Sequence, residues 1–253
     1  DETINKNKYY SNNVLATKNL IFSMKRNNIN NIIFSSTAAL YKYNNKILNE
    51  KSAINPKSTY AKTKLHCEKV IKKSNLNSVI LRFFNVCSSL KIKKKIIGEL
   101  HSPETHLIPT VVYKNICKKK IYIYGDNYKT KDGTCVRDYV HIKDTCNAIE
   151  KSINYLLNNY NKFEIINISS SSKKTNFEIL NTIKKITKIN NIYEVVKRRS
   201  GDVDFLTCSN TKAKLKLKWR PIYSNIDVII KDEIEWVNYL LKNKKIRKFK
   251  NYL

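Results

Sequence analysis

Only four glycines, Gly98, Gly125, Gly133 and Gly201, occur in 253 residues, and none stand close enough together to form a G-x-G-x-x-G loop. That excludes, within this sequence, the phosphate-binding fingerprint of dinucleotide folds, whose tight turn and close backbone approach need residues without a side chain. Six cysteines fall at irregular spacings with no C-x-x-C pair and no histidine pattern suited to zinc. They are expected to be reduced, mostly buried thiols of a cytoplasmic protein, with no metal site. No uncharged apolar run approaches the roughly 18 residues that would span a bilayer, and the opening "DETINKNKYY" has no apolar signal region, so no membrane association is expected. Acidic residues are scarce, 20 against 49 Lys plus Arg, giving a formal net charge of +29. Such a charge would suit nucleic acid. However, the lysines are spread from Lys6 to Lys250, and Asn and Ile are equally overused, which is the mark of compositional bias and an anion-friendly surface. No nucleic-acid partner is expected.

Hydrophobic periodicity alternates between helical and strand-like stretches, the pattern of an α/β fold with a mainly parallel sheet. Residues 9–28 predict a helix and 31–36, "NIIFSS", a buried strand ending in hydroxyls. A helix from Ser58 to Lys73, with Ser58 as its N-cap, leads into a second buried strand at 78–84, "SVILRFF", which makes a right-handed crossover unit. A lysine-rich loop follows. Beyond it, helices are predicted near 107–118, 143–157, 175–188 and 226–241, with strands at 121–125, 136–141 and 163–168.

Within "STYAKTK", Tyr60 and Lys64 are four residues apart, so on a helix they share one face at about 5–6 Å between Cβ atoms. An ammonium at that distance favours the phenolate and lowers a tyrosine pKa, making the tyrosine a usable base. The spacing alone does not decide the matter, because Tyr139 with Lys143 and Tyr193 with Lys197 repeat it. Only Tyr60 follows a strand ending in hydroxyls, Ser35, Ser36 and Thr37, and the carboxyl ends of parallel strands line ligand crevices. Thr37, Tyr60 and Lys64 are therefore the candidate proton-transfer set, although strand-end hydroxyls also serve to bond the backbone.

The motifs "FSSTAALY", "YAKTK", "LRFFN", "PETHLIP", "DGTCVRDYVH" and "RRSGD" occur in this order. Together they resemble the UDP-glucose 4-epimerases of the extended short-chain dehydrogenase/reductase family, over nearly the whole chain. The resemblance implies a Rossmann-like doubly wound parallel sheet, N-terminally truncated, with a smaller interleaved C-terminal substrate domain. Residues 1–90 would be the remainder of the NAD-binding domain. Residues 91–253 would bind the UDP-sugar, with parts near 136–168 returning to the sheet. It implies NAD as cofactor, UDP-glucose and UDP-galactose as substrates, and a homodimer through the helices at 9–28 and 58–73. Tyr60 would take the proton of the sugar 4-hydroxyl, Thr37 would relay or orient it, and Lys64 would hold the nicotinamide ribose and lower the tyrosine pKa. Asn12 and Phe84 would lie near the cofactor. Asn85, His106 and Leu107 would contact the UDP-sugar, Tyr122 and Tyr124 would line the uracil pocket, and Arg137, Arg199 and Asp202 would hold the diphosphate and ribose. Arginine's planar fork suits diphosphate oxygens better than lysine does.

The chain departs from the family pattern at the glycine-poor phosphate loop. At about 30 residues per strand-helix-strand step, roughly 90 residues of the family's first half have no counterpart here. This polypeptide alone is accordingly expected neither to hold NAD tightly nor to epimerise. Lys42 replaces a family glycine, and Leu206 occupies the position that governs pocket size, implying a preference for UDP-glucose and UDP-galactose over N-acetyl forms. Alternatives from the residues are a related UDP-sugar enzyme, such as a pentose 4-epimerase or decarboxylase, and a non-catalytic nucleotide-binding relic.

Overall fold

The computed structural model describes residues 6–43, 46–101, 103–199 and 201–243. In chain order its helices are α1 (Lys6–Tyr9), α2 (Ala16–Arg26), α3 (Thr59–Lys73), α4 (Leu107–Ile116), α5 (Ile142–Leu157), α6 (Asn176–Thr187), α7 (Thr211–Leu217) and α8 (Ile226–Lys242). Its longer strands are β1 (Asn31–Thr37) and β2 (Asn77–Phe83), followed by the short β3 (Asn85–Cys87), β4 (Leu90–Ile92), β5 (Lys95–Ile97), β6 (Ile121–Tyr124), β7 (Val136–Arg137) and β8 (Tyr139–His141). Then come β9 (Phe163–Ile168), β10 (Lys174–Thr175), β11 (Tyr193–Val196) and β12 (Phe205–Leu206). Among the described residues no helix is long and apolar enough to cross a membrane.

The chain divides into two compact units. One comprises residues 1–84, 146–169 and 208–220; the other comprises 85–145, 170–207 and 221–253. The sequence boundaries placed the return to the sheet near 136, whereas here the chain re-enters the first unit at Cys146, inside α5, and again at Cys208.

The first unit is built on a parallel sheet in the order β1-β2-β9, with Phe34 opposite Ile80 and Ile80 opposite Ile165. Strand β2 is buried along nearly its whole length, with the apolar Val79, Ile80 and Leu81 at its centre and the polar Asn77, Ser78 and Arg82 buried around them. Ile21 and Met24 of α2, Ile71 of α3, and Ile32 and Ile80 of the sheet form one apolar cluster. Between α1 and α2 the helix widens into a π-helical segment, Tyr10–Leu15. Such bulges often mark functional positions, and Asn12 lies in this one.

The second unit is a patchwork of small sheets: β10-β7-β12, β6 with β11, β3 with β8, and the hairpin β4-β5. Helices α4, α6 and α8 enclose its apolar core, centred on Val112, Ile183, Ile229 and Val237. The lysine-rich loop predicted after residue 85 contains the β4-β5 hairpin, whose two-residue turn places Lys93 at φ 54°. The strand predicted at 136–141 breaks at Asp138, whose buried carboxylate turns away to accept hydrogen bonds from the backbone N–H (2.9 Å) and hydroxyl (2.7 Å) of Ser170. Glycine is required at two turns. Gly125 has φ 85° and a Cβ there would lie 2.4 Å from Arg198, while at Gly133, φ 76°, it would lie 1.8 Å from the Asp126 carbonyl oxygen.

Candidate active site

The proton-transfer residues belong to the first unit. Helix α3 begins at Thr59 because the Ser58 hydroxyl accepts the backbone N–H of Ala61 at 3.0 Å, an N-cap that sets Tyr60 in the first turn. Thr37 closes β1, and its hydroxyl oxygen accepts the Ala39 N–H at 3.2 Å as the chain turns into a short 3-10 segment. Thr37 stands close enough to Tyr60 for its hydroxyl to act on the phenol. Burial raises the Tyr60 phenol above its ordinary value, and the Thr37 hydroxyl opposes that rise.

Lys64 shares the helix face of Tyr60, with its ammonium 5.9 Å from the tyrosine ring centroid. It is engaged elsewhere: Nζ donates to the Ser35 carbonyl oxygen at 2.9 Å and lies 4.8 Å from the centroid of the Phe34 ring. The expectation that Lys64 lowers the Tyr60 pKa is therefore corrected in this geometry, since burial of the phenol dominates and its pKa is raised. The lysine's own pKa is lowered by burial. The other two tyrosine–lysine copies are not helical pairs at all. Tyr139 is buried in β8, where burial raises its phenol well above the usual range, and Tyr193 lies in β11.

Asn12 and Tyr60 line one cavity of about 290 Å³ together with Tyr9 and Asn13. Asn13 holds the π-helical segment to α3 by donating from Nδ2 to the Thr63 hydroxyl at 2.9 Å. Phe84 is not in that cavity. It is a core residue, 2 % exposed, with its ring 6.5 Å from that of Tyr41.

A buried polar network that sequence reasoning missed surrounds the end of β1. Arg82 of β2 clamps Glu68 of α3 through two hydrogen bonds, Nε to Oε1 at 3.0 Å and Nη2 to Oε2 at 2.7 Å. Its third donor reaches the Tyr41 hydroxyl at 3.0 Å, which donates to Asn167 Oδ1 of β9 at 2.7 Å. The Ser36 hydroxyl donates to Glu68 Oε1 at 2.5 Å. All five side chains are buried, and the network ties together α3 and the carboxyl ends of three strands, the region that carries Thr37 and Tyr60. Burial pushes the Tyr41 phenol up to about 12. The available signal was an arginine inside the apolar run "SVILRFF".

The second unit holds a separate cavity of about 400 Å³. Asn85, His106, Leu107 and Tyr122 line it, and so do Tyr124, Arg137, Arg199 and Asp202, so these eight expected sugar-nucleotide contacts open onto one space, whereas Thr37 and Tyr60 do not line it. Leu206 does not line it. The N-terminus of the ten-residue helix α4 faces the cavity through Leu107 and Ile108, and no side chain caps it. Its free N–H groups and dipole favour an anion. The Arg199 guanidinium stacks on Tyr124 at 3.7 Å, and Arg198 stacks on Tyr128 at the same distance. Arg137 is oriented by the carbonyl oxygens of Val136 (3.0 Å) and Val203 (2.7 Å) and by Asp202 at 3.5 Å. Asn85 donates to the Asp138 carbonyl oxygen at 2.8 Å. His106 lies within 2.6 Å of Glu99 and 3.2 Å of Glu104, and these carboxylates raise its pKa to about 10. Ser200, within "RRSGD", lies outside the described residues.

A helix bearing tyrosine and lysine after a hydroxyl-ended strand in one unit, and an arginine-lined cavity in the other, have counterparts among known proteins. The chain is 37% identical over 235 residues to the UDP-glucose 4-epimerase of Lactobacillus helveticus, an alignment covering 90% of this chain and 70% of that protein. The crystal structure of the UDP-glucose 4-epimerase from Brucella ovis in complex with NAD superposes with a TM-score of 0.86 at 32% identity, covering 92% of this chain and 73% of the other. The enzyme from Bifidobacterium longum in complex with NAD+ and UDP gives a TM-score of 0.81 at 25% identity, covering 97% and 72%. The family model for NAD dependent epimerases and dehydratases matches residues 1–196, and the chain belongs to that family.

Proposed function

We propose that the chain interconverts UDP-glucose and UDP-galactose by transient, NAD-dependent oxidation at the sugar C4. The observation that carries this reading is the placement of Tyr60 in the capped first turn of α3, after the strand that Thr37 closes, with Lys64 on the same helix face. The residues present fit the nicotinamide ribose. Two hydroxyls, an ammonium and the Asn12 amide offer the donors and acceptors that a ribose diol needs, in a partly buried setting. The glycine loop that holds a pyrophosphate is absent from this sequence, so the fit covers one end of the cofactor. When bound, NAD supplies a reversible hydride acceptor for C4.

The rest of the chemistry falls to the protein's own side chains. Tyr60 takes the proton of the 4-hydroxyl and returns it, and Thr37 stabilises the phenolate by donating to it. Lys64 orients the ribose hydroxyls. Arg137 and Arg199 neutralise the diphosphate with the help of the α4 N-terminus, and Asp202 accepts from a ribose hydroxyl. Tyr122 and Tyr124 flank the uracil, while Asn85, His106 and Leu107 position the sugar end. Phe84 backs the cofactor side as a packing residue. The free thiols support a cytoplasmic location. We further propose a homodimer through the α1–α2 segment and α3, for which light scattering gives the test.

Replacing Tyr60 by Phe in the native protein tests the assignment. UDP-galactose conversion should fall by roughly 10²–10⁴-fold while UDP affinity stays within about twofold. Retained turnover would remove Tyr60 from the chemistry. Product analysis with UDP-galactose against a UDP-pentose separates the hexose epimerase from its pentose-specific relatives.

A further inference from the structure

Glu99, His101, Glu104 and His106 offer four ligand atoms that all lie within 4.8 Å of one another in the loop before α4. We propose that these four side chains form a binding site for a divalent transition metal of the zinc class. The inference rests on the placement of these four residues and not on the epimerase reading, although Glu104 and His106 also line the second unit's cavity.

The two imidazoles point at one place. Nδ1 of His101 is 2.5 Å from Glu99 Oε1, and Nδ1 of His106 is 2.6 Å from the same oxygen. Glu104 approaches from the other side, with Oε1 at 3.2 Å from His106 Nδ1 and Oε2 at 4.0 Å from His101 Nδ1. Four ligands at the usual ~2.1 Å around one tetrahedral ion stand ~3.4 Å apart, so both imidazoles, now 2.5 and 2.6 Å from Glu99 Oε1, must swing outward by ~1 Å to admit the ion. Two nitrogen and two carboxylate ligands suit zinc, cobalt or nickel, whereas magnesium and calcium prefer oxygen alone.

A second observation points to a cation. Glu104 is completely buried at its side chain, and its Oε2 has no hydrogen-bond partner. A buried oxygen left this way costs about 1–3 kcal/mol, which a metal ion would relieve. Glu104 is also held in place for ligation, because Oε1 accepts the backbone N–H groups of Thr105 and His106, both at 2.8 Å. Acidic side chains number 20 against 49 Lys plus Arg, so this concentration of carboxylates runs against the composition of the whole chain.

The test is titration of the chelator-treated full chain with Co(II), followed by visible absorption, with Zn(II) competition. One equivalent should bind and produce the d–d bands of a nitrogen–oxygen site, and zinc should displace it. His101→Ala and Glu99→Gln should each weaken binding at least tenfold. His101 is exposed, so its variant should fold, which circular dichroism verifies. His66→Ala should leave the affinity unchanged. No saturable cobalt spectrum, or the same affinity in His101→Ala as in the wild type, would overturn the site. UDP affinity measured on the same preparation reports the nucleotide cavity separately, so loss of one property leaves the other interpretable.

Discussion

The two units of the chain solve different problems with different materials. The first presents its reacting side chains from a regular frame, a parallel sheet and one capped helix, and locks that frame with the buried Arg82–Glu68 pair at 4% exposure on either side. The second presents binding side chains from short strands and turns, and its core of aliphatic residues between three helices carries the stability. Proton transfer tolerates little positional error, so a rigid polar clamp at the strand ends serves it. Anchoring a flexible diphosphate demands donors from several directions, which a patchwork of short strands supplies.

The sharpest way to break this comparison is to open the clamp. Glu68→Ala leaves the Arg82 guanidinium buried without its carboxylate, a change that costs about 3–5 kcal/mol. The expected result is a fall in melting temperature of roughly 10 °C. A shift below about 2 °C would show that the network is ornamental to the first unit.

How much of this was legible follows from the range of the interactions. The helix at 58–73 was legible because its cap and its apolar spacing are local, and β2 because its central Val-Ile-Leu run marks a buried strand. The clamp was not, since Arg82 and Glu68 meet only when β2 and α3 pack, and Asn167 joins from a strand more than eighty residues further on. The Tyr60–Lys64 spacing was visible, yet the destination of the ammonium was not. Ser35 and Phe34 claim it through tertiary contact. Likewise the metal-like cluster hides in a lysine-rich stretch where composition suggests only a solvated loop, and the return of 208–220 to the first unit leaves no local trace. The residues expected at the UDP-sugar fall together around the second unit's cavity, and each motif that carries them occupies a short segment.

A smaller effect separates the units by pH. Burial, with the nearby carboxylates of Glu99 and Glu104, raises the Glu233 carboxyl to about 8 from an ordinary 4.5. A raised acid contributes stability that is complete below the unfolded value and is lost as pH climbs through the folded one. Stability of the second unit should therefore decline between about pH 4.5 and pH 8. Glu233→Gln, neutral throughout, should match the wild type near pH 4.5 and exceed it by roughly 5 °C above pH 8.5, measured with chelator present. Equal melting at both pH values would remove Glu233 from the account.

Within the cavity, Arg199 should matter more than its exposure suggests, since stacking on Tyr124 fixes its fork before any ligand arrives. Arg199→Ala should weaken UDP binding by about tenfold, and Arg199→Lys should recover little of it. Calorimetry with UDP distinguishes this from a point-charge role, in which lysine would restore binding. The same titration sharpens the contrast between the units, because UDP binding should depend on the second unit's cavity and not on Tyr60.

The smallest effect concerns the Thr37 hydroxyl that acts on Tyr60. Thr37 lowers the Tyr60 pKa against the rise imposed by burial. Thr37→Val keeps the shape of the side chain and deletes the donor, so the phenolate loses a partner and the tyrosine pKa climbs further. The alkaline-rising limb of the turnover profile should then move to higher pH by about half a unit, equivalent to about 0.7 kcal/mol. At fixed neutral pH the same change appears as a severalfold loss of turnover with little effect on UDP affinity. A loss of turnover with no movement of the limb would assign Thr37 to orienting the sugar hydroxyl instead of tuning the tyrosine. The two roles are separable because only tuning acts on the proton equilibrium of Tyr60.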